Sequence, residues 1–112
     1  MSWTNELLRV VRRLRPPLRT LPDAVYAHLV TQWQEPHERL QRLRCASRTE
    51  RGTSGAPVTL LRVVDPAELA RRGLRIETYE DLDAHPEVVL YQGGFAPGSG
   101  AQLTRIAPRN GA

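Results

Sequence analysis

The chain of 112 residues predicts an α+β fold: two to three N-terminal helices, then a small, mostly antiparallel four-stranded sheet with two short helices. Apolar residues recur at helical spacing up to residue 46, whereas β-branched runs dominate from residue 58 onward. Between the first two expected strands lie only residues 65–73. A parallel crossover needs roughly a dozen residues or more, so an antiparallel or mixed sheet follows, with the helices packed on one side.

Residues 4–15 form the first amphipathic pattern. Leu7, Val10, Val11 and Leu14 share a stripe, with Arg9, Arg12 and Arg13 opposite. Pro16 and Pro17 end it. Thr20, Pro22 and Asp23 have the chemistry of a second helix start, and Leu21, Val25, Leu29 and Trp33 make its apolar face. After the break at Glu35-Pro36, a third helix over 36–46 turns Leu40 and Leu43 inward. Ion pairs Glu35–Arg39 and Glu38–Arg42 are expected along it.

Residues 47–57, with Gly52, Ser54 and Gly55, read as a flexible Gly/Ser connector. The chain thus divides into a basic helical segment (1–46), the connector (47–57), a β-rich segment (58–107) and a frayed tail (108–112), together one domain. Residues 58–64 are apolar enough for a central strand. Asp65-Pro66-Ala67-Glu68 is a helix start, ended by Gly73. Strands are expected at 74–78, 88–91 and 102–106. A single-turn helix around Leu82 precedes the third strand, and a glycine loop from residue 93 to residue 100 precedes the fourth.

All sixteen cationic side chains are arginine. Residues 1–56 hold ten of them against five acids, and residues 57–112 hold six against seven, which sums to the net charge of +4. GC-rich coding explains the absence of lysine but not this asymmetry. Lone Cys45 makes no internal disulfide, and no apolar run reaches membrane-spanning length, so a cytoplasmic location is expected.

Motif chemistry is sparse. His28, His37 and Cys45 are too widely spaced for a zinc site, and Asp81, Asp83 and Glu87 lack the pattern of a calcium loop, so neither metal nor cofactor is expected. Gly93, Gly94, Gly98, Ser99 and Gly100 have no P-loop lysine and precede a strand. They remain a candidate loop for an anion or a partner. For acid–base work the available set is His85, Tyr79, Tyr91, Glu77 and Arg105, residue types found in small ribonucleases.

The basic helical front carries the strongest expectation. Arg9, Arg12, Arg13, Arg15, Arg19, Arg39 and Arg42 form the candidate interaction surface, joined by Arg44, Arg48 and Arg51. The expected function is that of a non-catalytic interaction or accessory protein that contacts a protein partner or itself. Nucleic-acid binding is the first alternative, since helices followed by strands are similar to a winged helix. A ribonuclease-like enzyme is the second.

Overall fold

A computed structural model of the chain describes residues 18–106. The helix expected over 4–15, with Arg9, Arg12, Arg13 and Arg15, lies outside the described residues, as does the tail 108–112. The rest is an α+β fold. Helix α1 spans Asp23–Trp33 and α2 spans His37–Arg42. Strand β1 is Arg44–Arg51, β2 is Pro57–Val64, helix α3 is Pro66–Arg71, and β3 and β4 are Tyr91–Phe95 and Gln102–Arg105. Two 3-10 turns, Glu80–Ala84 and Pro86–Val88, lie between α3 and β3. The four strands run in the order β1-β2-β3-β4, each antiparallel to its neighbour.

Two expectations about the middle of the chain are corrected. Residues 44–51 are a strand, not the end of a helix and the start of a flexible connector. Together with a tight turn at 52–56 they form a hairpin with β2, closed by the bond from Gly52 N–H to Ala56 C=O at 2.7 Å. The ladder supplies the backbone partners that the side chains of this stretch do not advertise. Residues 74–78 contain no strand. Leu74 N–H returns to Leu69 C=O at 2.9 Å, and Ile76 is buried against the sheet instead of pairing within it. The third strand is also shifted, so that Gly93 and Gly94 belong to β3 and not to a loop.

Alternation along the strands gives the sheet two covered faces, where helices on one side only were expected. Cys45, Leu61, Val63, Tyr91 and Leu103 pack with Val25 and Leu29 of α1 and with Leu40 and Leu43. Ala46 and Val64 instead meet Leu69 of α3 and Ile76, Tyr79, Leu82, Val88 and Val89. Val25 and Leu29 are each fully buried, and burial of each contributes about 1.5–3 kcal/mol.

Local chemistry accounts for the element ends. Pro22 precedes α1 in an extended conformation without a side-chain cap, so the cap expected from Thr20 is not the one used. Gln34 closes α1 in the left-handed region (φ 54°), and this turns the next residue, Glu35, inward beneath the helix. Asp65 caps α3 as its sequence predicts, accepting from Ala67 N–H at 3.0 Å, with Pro66 in the first turn and Gly73 (φ 66°) after the end. At the β4 edge, α1 takes the place of a further strand. Leu103 N–H donates to His28 Nε2 at 3.1 Å, and Leu103 C=O accepts from Trp33 Nε1 at 3.1 Å.

Candidate functional site

The described arginines divide into two populations. Arg39, Arg48, Arg62, Arg71, Arg72 and Arg105 are tied to carboxylates within the fold. Arg19, Arg42, Arg44, Arg51 and Arg75 form no ion pair with another described residue. The backbones of three of this second group lie near one another at the α2–β1 junction. Arg42 ends α2 and Arg44 opens β1. Arg19 exchanges both backbone hydrogen bonds with Cys45, at 2.8 and 2.9 Å. Arg44 also donates from Nη1 to the carbonyls of Gln41 and Leu43, both at 2.8 Å, which caps the end of α2 and fixes the arginine there. Arg19 and Arg42 are exposed.

Of the predicted interaction residues, Arg19, Arg42 and Arg44 thus have neighbouring backbone positions at this junction. Arg39 has another task. The expected Glu35–Arg39 pair forms at 3.1 Å, but as one arm of a buried cluster. Glu35 is 2% exposed. Its Oε1 accepts from Tyr91 Oη at 2.7 Å and from Arg105 Nη2 at 2.9 Å, and its Oε2 accepts from Arg39. Arg105 also donates to the Tyr91 hydroxyl at 2.7 Å and lies over the rings of Trp33 and Tyr91. Burial, with the adjoining Glu35 carboxylate, pushes the Tyr91 hydroxyl above its ordinary pKa. Glu38 and Arg42, expected to pair, do not.

This cluster brings together two members of the acid–base set, Tyr91 and Arg105, and leaves the others elsewhere. The sequence reading paired Glu35 with Arg39 but missed its burial and its bonds to Tyr91 and Arg105, because an acid before proline looks like a helix break. The available signal was a lone carboxylate within reach of an arginine four residues on and a tryptophan two residues back. Tyr79 lies on the opposite sheet face near two guanidiniums, with Arg62 Cζ 4.2 Å and Arg48 Cζ 4.9 Å from its ring centre. Arg62 is held further by Asp83 at 2.7 Å and by the Tyr79 carbonyl at 2.9 Å, and Arg48 by Glu80 at 3.1 Å. These contacts fasten the 3-10 segment to the sheet. His85 pairs with neighbouring Glu87 at 3.6 Å, away from Tyr91.

A shallow cleft of about 110 Å³ lies beside Arg62, Leu82, Asp83, Pro86, Val89, Gln92 and Ile106. Pockets that hold drug-sized ligands measure roughly 300–1,000 Å³, so this cleft is smaller than such a site. Gly93 and Gly94 serve strand packing: a Cβ on Gly93 would stand 1.9 Å from Gln102 O, and one on Gly94 would stand 2.2 Å from Thr59 O. Gly98 (φ 78°), Ser99 and Gly100 form the turn between β3 and β4, with Ser99 N–H bonded to Ala96 C=O at 3.0 Å. Among the described residues, no group of three His, Cys, Asp or Glu side chains is placed to hold a metal ion, and no helix is long and apolar enough to cross a membrane.

No family model matches the chain, and neither a curated protein nor a solved structure shows significant similarity to it.

Proposed function

We propose that this chain is an interaction or accessory protein whose arginine corner at the α2–β1 junction docks an acidic segment of a protein partner. The observation that carries this reading is the contrast between neighbouring arginines. Arg39 and Arg48 are neutralised within the fold, whereas Arg19, Arg42 and Arg44, neighbours in backbone at the α2–β1 junction, have no carboxylate partner among the described residues. Guanidinium forks match carboxylates in geometry as well as charge, and Arg44, already held by two carbonyls, loses less entropy on binding than a flexible cation. The sequence leads directly from Arg9, Arg12, Arg13 and Arg15 into Arg19, so the same stretch of chain supplies further cations.

Nucleic acid fits the corner less well. Helix α2 is six residues long and carries Glu38 in its first turn, so it offers an acid where a groove-reading helix offers donors.

Fluorescence anisotropy with labelled poly-glutamate and with a labelled nucleic-acid duplex, each over a salt series, tests the reading. Poly-glutamate should bind, weaken moderately with salt, and be lost with Arg19→Glu/Arg42→Glu while the fold is retained. Duplex binding with a steep log-linear salt dependence, or no binding to either polymer, overturns it.

A further inference from the structure

The outer edge of β1 supports a second inference, independent of the arginine corner. Cys45 gives both its backbone bonds to Arg19, and Gly52 N–H bonds across to Ala56 C=O. In an antiparallel ladder these two pairs fix the alternation along the strand. Ala46, Arg48 and Glu50 face β2 with their backbone groups, and Ser47, Thr49 and Arg51 turn theirs outward. Among the described residues nothing bonds those outward groups. Among the described residues the open edge is therefore five residues long, bounded by the Arg19 bridge at one end and the hairpin turn at the other.

We infer that this edge pairs with the same edge of a second copy of the chain, antiparallel about a two-fold axis at Thr49, so that two four-stranded sheets join into one of eight strands. The backbone of such a pair restricts the axis to positions that match outward groups with outward groups. Side-chain charge then selects among them. An axis at Arg48 opposes Arg48 to its own copy, and one at Glu50 opposes Glu50 to its own copy. An axis at Arg51 opposes the two Arg51 side chains, and one at Ser47 requires Cys45, which Arg19 occupies. Like charges directly opposite one another destabilise a sheet. Only the axis at Thr49 sets Arg48 opposite the partner's Glu50 on both sides of the dyad, with Thr49 against Thr49 and Ser47 against Arg51. Within one chain Arg48 already meets Glu50 at 2.5 Å and Glu80 at 3.1 Å, and its side chain and that of Glu50 remain 39% and 47% exposed, so across this dyad the two internal pairs join into one cluster of alternating sign. The register also stops short of the Arg19 bridge at each end, because the paired stretch finishes with Arg51 opposite Ser47.

The complementarity gives a charge-swap test on the full chain, read by sedimentation over a concentration series. The wild type should show reversible monomer–dimer behaviour. Thr49→Pro removes an outward N–H without touching the β2 ladder, so it should sediment as a folded monomer. Glu50→Arg and Arg48→Glu should each be monomeric alone, since each places like charges across the dyad, and mixing the two should restore a dimer. A wild type that stays monomeric at high concentration overturns the inference. So does a Thr49→Pro variant that still dimerises, or a mixture of the two charge variants that does not.

Discussion

Tyr91 on β3 donates its hydroxyl hydrogen to Oε1 of Glu35 at 2.7 Å, joining the turn after α1 to the middle of the sheet. Glu35 is buried, and Arg39 and Arg105 retain 23% and 28% side-chain exposure, so the carboxylate bears most of the desolvation. Tyr91→Phe removes one neutral donor and leaves both arginines in place. Its expected cost is about 1–2 kcal/mol in urea unfolding. Glu35→Gln strands two guanidiniums beside a buried amide. Loss of one partner from a buried ion pair typically costs ~3–5 kcal/mol, and the partial exposure of the arginines places this variant near the lower end. The double variant should cost less than the sum, because both changes act on one cluster.

The glycines of β3 and of the following turn separate close packing from backbone freedom. A Cβ at Gly93 or Gly94 meets the backbone of an adjacent strand, which cannot yield as a flexible side chain would. Gly93→Ala and Gly94→Ala should each cost ~3 kcal/mol or more, or abolish folding. At Gly98 a Cβ meets nothing within 4 Å but φ is 78°, so alanine there should cost only about 1 kcal/mol. Gly100→Ala, with neither constraint, should be nearly silent. Thermal unfolding of the four variants orders them.

Legibility of the fold in the sequence followed the source of each element's stability. Helix α3 was readable because its determinants are local: Asp65 caps it, Pro66 opens it and Gly73 ends it. The buried face of α1 at Val25 and Leu29 was readable from periodicity. Strand β1 was not, since only Cys45 and Ala46 of its eight residues are fully buried, and its order comes from hydrogen bonds to β2. Residues 74–78 have strand composition, yet Ile76 covers a sheet face as part of an irregular segment. Of the cluster around Glu35, composition supplied Tyr91 and Arg105. Their meeting depends on the register of β3 with β4, which sets Tyr91 opposite Arg105.

Cys45 is 2% exposed in the inner face of β1, and its thiol lies 3.8 Å from the Thr20 carbonyl. Burial pushes its pKa up to about 11, with Arg19 opposing the shift. A raised acid favours the neutral form in the fold. The associated stability is complete below the unfolded thiol value of ~8.5 and is lost as pH rises through about 11. At mildly alkaline pH a disulfide-exchange reagent should label the native protein far more slowly than the urea-unfolded chain. Fast labelling of the folded protein would mean that the thiolate is accessible there.

Asp81 shows the opposite sign. Its Oδ2 accepts from Glu77 N–H at 2.8 Å and Thr78 N–H at 3.0 Å, and its own N–H donates to Thr78 Oγ1 at 3.1 Å. These backbone donors favour the charged carboxylate and lower its pKa below the ordinary value of 3.8, with nearby His85 a smaller contribution. The unfolded chain lacks the donors and binds the proton more readily. Stability from this site is therefore present above the unfolded value and is lost as pH falls through the lowered native one. Between about pH 2 and pH 5, unfolding free energy should rise with pH in the wild type. In Asp81→Asn the rise should be smaller, because the substituted side chain no longer titrates. Identical slopes for the two proteins would mean that these donors do not distinguish charged from neutral Asp81. Chemical denaturation at a series of pH values in that window measures the difference directly.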